Sequence, residues 1–247
     1  MKTFSALLLA LCLTCLLPIQ AEASVVIMGT RVILPAEQGQ TTVRLTNEGK
    51  LPALVETWID AGDPHATPNS VHTPFLITPP LFRLNPAQEQ NLRILFLPDQ
   101  QTLPKDRETV FWLNVLEIPP RPTGVQAQSN LLQLSIRSRL KLFYRPAGLK
   151  VSSLAAPSLL TWQQSVNAHS LSLTVHNPSP YYITLTDVTL TLAGKPHPVG
   201  HGMVAPFSDL SFTLNDISQA LPSGTRLTFH TINDSGASNA QQGVIAP

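Results

Sequence analysis

Cysteine is scarce in this sequence, and the two that occur lie near its start. Cys12 and Cys15 belong to a short, leucine-rich stretch that follows a positive N-terminus and precedes an A-x-A site at 21–23. This arrangement is typical of a secretory signal peptide, and we expect residues 1–23 to be removed. A membrane anchor is the alternative, but the apolar run is shorter than the ~20 residues that usually span a bilayer. The mature chain would then contain no cysteine in an oxidising compartment, which excludes a disulfide framework.

An excess of charge of one sign is also missing. The 16 lysines and arginines are matched by 15 acidic residues, and only 13% of residues are charged. A chain balanced in this way has no basic excess for nucleic acid and no charge run for a membrane surface. We therefore expect no nucleic-acid partner.

Common enzyme motifs are absent as well. The sequence has no G-x-S-x-G elbow, no H-E-x-x-H and no phosphate-binding loop. His197 and His201 stand four apart, but Pro198 and Gly200 between them argue against a helix that would place both on one metal. An enzyme remains the first alternative, and we predict no catalytic residue, no cofactor and no metal site.

Proline, by contrast, is abundant. The sequence contains 23 prolines, a density that helical proteins rarely tolerate. Apolar and polar residues alternate over short segments at 43–45, 92–96 and 171–175, and turn residues separate such segments. The pattern predicts an all-β protein built from sandwiches, with at most one helical turn, at 216–221.

Two polar, proline-containing stretches divide the strands further. Residues 61–76 and 119–130 are predicted loops, and the Arg-Pro-Ala-Gly sequence at 145–148 is predicted to be a hinge. We therefore expect a first domain at 24–146 and a second at 147–247, both of common domain size.

The segment 130–146 carries the most informative pattern. Leu132, Leu134 and Ile136 fall on one face of a strand, and repeated positive charge follows them. In one interpretation the three side chains are the core face of a sandwich strand. In the other the strand lies at a sheet edge and the side chains project into a partner. Proteins usually blunt an apolar edge because it aggregates, so an intact one needs a partner that covers it.

An arginine, Arg31, precedes an apolar stretch at 32–34. Alone, such an arginine is most often a solvated surface residue. If it converges with a lysine at the bottom of a cleft, the two cations would form a carboxylate clamp with charge-assisted hydrogen bonds.

Three motifs carry a resemblance to a known family. They are LPKDRETVFWLNVLEIP at 103–119, KLFYRP at 141–146, and Thr30-Arg31. Weaker matches lie at 51–53, 78–80, 177–182 and 232–236. With these motifs, spread over essentially the whole mature chain, the sequence resembles the PapD-like periplasmic chaperones of the chaperone–usher pathway.

The resemblance implies two immunoglobulin-like domains in a boomerang arrangement, with a subunit-binding cleft between them. It also implies donor-strand complementation, in which the strand at 131–137 fills the apolar groove of a pilus subunit. Leu132, Leu134 and Ile136 would occupy successive pockets. The implied location is the periplasm, and the implied partners are pilus or fimbrial subunits and an outer-membrane usher. A self-capping dimer of the free chaperone is left open.

The resemblance further implies a clamp for the subunit. Arg31 and Lys141 correspond to the family's two cleft cations, which bind the subunit's C-terminal carboxylate, and Thr30 lies beside them. The clamp would fix the register of strand addition, because a one-residue slip turns every side chain to the wrong face.

A second set of charges corresponds to an ion-pair network between the domains. Its members are Glu108, Arg145 and Asp234. Exposed ion pairs contribute little stability, so we expect the network to orient the domains more than to stabilise them.

Two further classes stay open. A structural pilin or adhesin subunit usually carries a disulfide and an N-terminal donor extension, and this sequence has neither. A general periplasmic binding protein would bind without requiring a C-terminal carboxylate. Within the family, the loop at 119–130 and the missing cysteine resemble the short-loop group, which builds rod-like or thick fimbriae.

Overall fold

The computed structural model describes residues 24–124, 132–167, 169–192 and 194–246, and strands are the predominant regular structure within them. The strands are β1 (Val25–Ile27), β2 (Arg31–Pro35), β3 (Gln40–Asn47), β4 (Ala53–Asp60), β5 (Phe75–Thr78), β6 (Leu81–Leu84), β7 (Glu89–Phe96), β8 (Thr109–Ile118), β9 (Ile136–Arg145), β10 (Thr161–Val166), β11 (Leu171–Asn177), β12 (Ile183–Leu192), β13 (Lys195–Val204), β14 (Ser208–Leu214), β15 (Arg226–Ile232) and β16 (Ser238–Val244). None of the helices in these ranges could cross a membrane. The predicted signal peptide and residues 125–130 of the predicted loop lie outside the described residues.

Strands β1 to β9 form the first sandwich. One sheet has the order β1-β3-β7-β5 and the other the order β2-β9-β8-β4-β6. The predicted alternation at 43–45 and 92–96 is confirmed, because Val43, Leu45, Leu92 and Ile94 are buried between the sheets. Pairing is antiparallel throughout except between β2 and β9, which run parallel.

Strands β10 to β16 form the second sandwich. Its sheets have the orders β10-β11-β14 and β13-β12-β15-β16. The alternation predicted at 171–175 is confirmed, because Leu171, Leu173 and Val175 are buried in a core that also contains Trp162 and Phe229. The two cores are separate, so the all-β, two-sandwich prediction is confirmed.

The predicted helical turn at 216–221 is wrong. The chain is irregular there, and Leu221 exchanges both of its backbone groups with the amide of Gln164 instead of bonding within a turn. A 3₁₀ turn lies at Ala156–Leu159, where Pro157 occupies the first turn. The fixed φ of proline suits that position.

The predicted loop at 61–76 extends too far, since β5 begins at Phe75. The ring of Phe75 packs edge-on against Phe111, with ring centroids 4.8 Å apart, and draws its strand onto the core. The predicted strand over 130–146 begins too early, because β9 starts at Ile136. Its neighbour β8 ends at Ile118, and the prolines at 119–120 cannot donate hydrogen bonds that would continue the pair.

Candidate functional site

Arg31 and Lys141 lie side by side in the structure. Arg31 is the first residue of β2, and the parallel register of β2 with β9 places it directly opposite Lys141. Adjacent strands are about 4.8 Å apart, and paired residues of parallel strands project from the same face. Two residues separated by 110 positions in sequence therefore form a pair of neighbouring cations.

Among the described residues, one hydrogen-bond donor of the Arg31 guanidinium already has an acceptor, and another does not. Its Nη1 donates to the carbonyl oxygen of Ile232 in the second domain, at 3.0 Å, and its Cζ lies 5.8 Å from the centre of the Phe143 ring. Its Nε is buried and lacks a hydrogen-bond partner in the part of the chain that the structure describes. Burial lowers the pKa of Arg31, although Asp234 and Glu108 oppose that effect. A buried donor without an acceptor is costly unless a ligand supplies one.

The ammonium of Lys141 is similarly placed. Its Nζ donates to Oγ1 of Thr184 in the second domain, at 3.2 Å, and lies 5.8 Å from the centre of the Trp112 ring. Across the described ranges, no carboxylate forms an ion pair with Lys141. Burial and, to a smaller extent, the charge of Arg31 lower its pKa. The two cations thus share a partly desolvated site in which neither forms an ion pair with a carboxylate of the described residues, and the site would gain from a bound carboxylate.

Thr30 lies at the contact between the domains. A Cβ added to Gly236, whose φ is +85°, would approach Thr30 Oγ1 to 2.5 Å. The turn between β15 and β16 therefore packs closely against Thr30, next to the cation pair. Thr30 thus immediately precedes Arg31, which lies opposite Lys141.

The residues predicted to enter a partner are exposed. Leu132, Leu134 and Ile136 have relative exposures of 85%, 67% and 52%. The interpretation of these three as a buried core face is therefore wrong for the free protein. Only Ile136 lies within a strand, since Leu132 and Leu134 precede the start of β9.

The open edge of β9 has a defined length. Strand β8 pairs with β9 from Ile136 to Tyr144, but β2 pairs with β9 only from Lys141 onwards. Among the described residues, therefore, 136–140 have a strand on one side only. The open edge ends at the position where the two cations lie.

Glu108, Arg145 and Asp234 meet between the domains. Arg145 Nε is 2.7 Å from Glu108 Oε1, and its Nη1 and Nη2 are 2.7 and 2.8 Å from the two oxygens of Asp234. Glu108 also accepts the backbone N–H of Tyr182, which belongs to the second domain. The side chain of Glu108 is only 2% exposed, so the premise that these ion pairs are exposed is wrong for this residue. Burial raises the pKa of Glu108, and Arg145 opposes the effect.

Sequence reasoning missed a second buried ion pair. Arg139 binds Asp60 with two contacts, Nε to Oδ2 at 3.0 Å and Nη2 to Oδ1 at 2.5 Å. Asn114 adds a hydrogen bond to the same carboxylate at 2.8 Å. Asp60 in β4 and Asn114 in β8 are polar residues within apolar strands, which is a signal that the sequence contains. Nothing in the sequence indicates that Arg139 is the partner of Asp60.

The histidines do not converge on a metal. His176, His197 and His230 each face a single aspartate, at 2.6, 3.3 and 2.9 Å. No group of three or more potential metal-ligating side chains occurs within the described residues.

The chain thus combines two β-sandwiches with an exposed apolar strand edge, and that edge ends at a pair of cations. This combination is typical of chaperones that bind their clients by strand addition. The family model described as "Pili and flagellar-assembly chaperone, PapD N-terminal domain" matches residues 24–150. The model described as "Pili assembly chaperone PapD, C-terminal domain" matches residues 155–243. The chain belongs to this family of PapD-type pili assembly chaperones.

Individual relatives agree with this assignment. The chain is 43% identical over 215 residues to the probable fimbrial chaperone YadV of Escherichia coli K12, covering 87% of each chain. It is 43% identical to the chaperone protein FimB/FhaD of Bordetella pertussis, covering 92% of this chain and 90% of the relative. Among solved structures, the SafB chaperone in complex with the SafA pilin of Salmonella enterica matches with 31% identity and a TM-score of 0.73, over 91% of this chain and 98% of that one.

Proposed function

We propose that this protein is a periplasmic chaperone that captures pilus subunits by strand addition and delivers them to an outer-membrane usher. One observation carries the proposal: the open edge of β9 ends at the cation pair of Arg31 and Lys141. An exposed apolar edge provides main-chain hydrogen bonds, and the cations provide a fixed end point. The SafA–SafB complex is a precedent for a pilin bound to a related chaperone.

The position of β2 fixes the direction of the added strand. A subunit strand whose carboxylate lies at Lys141 must extend along residues 132–140, because β2 already occupies the edge at 141–145. The added strand therefore runs parallel to β9. Leu132, Leu134 and Ile136 then fill the subunit's groove in succession, and Leu132 and Leu134 join the strand when the subunit supplies the missing partner.

The clamp favours a carboxylate over other groups. The free Nε of Arg31 and the ammonium of Lys141 both donate, and neither group can accept. An anion with two acceptor oxygens satisfies both donors and offsets the repulsion between the cations. Thr30 helps to position the pair through its contact with the second domain.

We also propose that residues 1–23 are cleaved on export, so that the mature chain begins at Ser24. The first family model starts to match at residue 24. Sequencing the N-terminus of protein isolated from the periplasm tests this step, and a mature chain that starts elsewhere would refute it.

A peptide pair tests the clamp. The probe is a short peptide of alternating valine and threonine, prepared once with a free C-terminal carboxylate and once with a C-terminal amide. The mature protein should bind the carboxylate form much more tightly, as measured by fluorescence anisotropy. Equal binding of the two forms would overturn the clamp and favour a general periplasmic binding protein.

A second measurement addresses the subunit class. Protein isolated from the native periplasm should carry pilus subunits that can be identified by mass spectrometry. Isolation with a broad range of unrelated secreted proteins would contradict the assignment to pilus assembly.

A further inference from the structure

The cation pair alone does not explain how the register is fixed. Arg137, Arg139 and Lys141 project from the same face of β9, each about 6.6 Å from the next. A one-residue slip turns the side chains of an added strand to the wrong face. A two-residue slip does not, and it moves the carboxylate from Lys141 to Arg139. The alternating pattern of apolar residues therefore cannot prevent that slip.

Arg139 would be a strong competitor if it were free. A guanidinium binds a carboxylate with two parallel hydrogen bonds and remains charged at any physiological pH. In this structure the Nε–Nη2 edge of the guanidinium is occupied, because Nε and Nη2 contact the two oxygens of Asp60. The Arg139 guanidinium also stacks on Trp112, with Cζ 4.1 Å from the ring centre, which holds its plane in place.

Asp60 is itself held firmly. Its side chain is 1% exposed, and it accepts further hydrogen bonds from Asn114 Nδ2 at 2.8 Å and from the backbone N–H of Gly62 at 2.7 Å. Asn114 also accepts from Arg137 Nε at 2.9 Å, and Arg137 Nη2 donates to the carbonyl of Pro64 at 2.7 Å. The two arginines that precede Lys141 are thus engaged by internal acceptors.

We propose that Asp60 is a specificity-determining residue that engages Arg139 and so leaves the Arg31–Lys141 pair as the one anchor for a client carboxylate. The inference rests on the proposed strand-addition function, for which "client" means a strand that ends in a free carboxylate. Asp60 acts in two ways: it occupies the Nε–Nη2 edge of Arg139, and its negative charge offsets that of Arg139 and repels a second carboxylate. Its effect is on the register of binding, not on binding as such.

Disulfide trapping measures the register. The mature chain contains no cysteine, so single reporters can be introduced as Ser135→Cys or Gln133→Cys. The probe is the free-carboxylate valine–threonine peptide, with a cysteine placed opposite residue 135 when its carboxylate is at Lys141. With Asp60 intact, the peptide should be trapped mainly by the reporter at 135. In the Asp60→Asn background, the ratio of the two disulfides should reverse in favour of the reporter at 133.

A compensating variant separates register from damage to the fold. Adding Arg139→Gln to Asp60→Asn removes the competing cation and should restore trapping at 135. Where Asp60→Asn does not fold, Arg139→Lys keeps a charge beside Asp60 but loses the two-point contact, and it should shift trapping in the same direction. An unchanged ratio in the single variants, or a shifted ratio that the double variant does not restore, would overturn the proposal. Failure of the proposed function gives a different result, namely equal binding of the amide peptide to the unaltered protein.

Discussion

The two halves of β9 belong to one strand but differ in their surroundings. Residues 141–145 lie between β2 and β8, and Leu142 and Phe143 there are 0% and 2% exposed. Residues 136–140 have β8 alone, and Ile136 is 52% exposed. Charge does not mark this boundary, because the first half contains Arg137 and Arg139 and the second contains Lys141 and Arg145.

The difference arises at the start of the chain. Strand β1 pairs with β3 in one sheet, whereas β2 pairs with β9 in the other. The chain changes sheets between them at Gly29, whose φ of +98° is readily adopted by glycine but not by other residues. Because β2 begins only after this crossing, the first half of β9 is left uncovered. An open binding edge is therefore a product of where the neighbouring strand begins.

Loss of a charge should lower the free energy of unfolding most in residues 141–145, the half of β9 that lies between two strands. Arg145→Ala removes the partner of Glu108, which would remain buried without a counter-charge. We expect a loss on the order of 3 kcal/mol or more, measured as the free energy of unfolding in urea. The matched control is Arg44→Ala, which breaks an exposed pair with Glu89 and should change stability by less than about 1 kcal/mol. Equal effects of the two substitutions would show that burial of Glu108 contributes nothing.

At the boundary between the halves, removing a positive charge should weaken the binding of a client more than it lowers stability. Arg31→Ala or Lys141→Ala should weaken capture of a carboxylate-ended client by about 2–5 kcal/mol, or roughly 30- to several-thousand-fold. The physical reason is that one side of a partly desolvated charge pair is lost. Titration calorimetry with the carboxylate peptide measures the effect. Arg226→Ala, which removes an exposed cation from the second domain, serves as the control.

Co-purification of pilus subunits with these variants would contradict this prediction. If Arg31→Ala and Lys141→Ala protein retains its usual yield and still carries pilus subunits, the cation pair is not the anchor.

The open half should depend on apolar contact. Leu134→Asp should weaken capture by at least the ~1.5–3 kcal/mol that accompanies burial of a leucine, or roughly ten- to a hundredfold. The fold should be unaffected, because Leu134 is 67% exposed in the free protein. Val244→Asp, at an apolar residue of the second domain that is 56% exposed, is the control. Subunits that remain soluble and bound with the Leu134 variant would exclude strand addition along this edge.

The core and the open edge differ in how well the sequence predicted them. Alternation at 43–45, 92–96 and 171–175 identified core strands, because a strand buried on one face requires that period. The same signal extended β9 too far, since alternation reports which face is apolar but not whether a neighbouring strand exists. Leu132 and Leu134 fit the pattern, yet β8, the strand that pairs with this side of β9 among the described residues, ends before the prolines at 119–120.

The charged residues show the other limit of the sequence. Arg31 and Lys141 could be placed together only through the family resemblance, because their contact depends on the parallel register of β2 and β9. Asp60 was not predicted at all. Its partner Arg139 lies 79 positions away, and a lone acidic residue at the end of an apolar strand does not reveal which cation it will bind.

The pH dependence of binding can separate the contributions of the two halves. Burial and the charge of Arg31 lower the pKa of Lys141 in the free protein, and a bound carboxylate would raise that pKa again. The complex then holds more protons than the free protein, so affinity is full at lower pH and falls as the pH rises through the lowered pKa. As the pH is raised, peptide binding should therefore begin to weaken at a pH lower than ~10.4, the ordinary pKa of a lysine. Lys141→Arg should abolish this dependence, because a guanidinium stays charged, whereas the contacts of Leu134 do not titrate. The same pH profile in Lys141→Arg protein would assign the effect to another group.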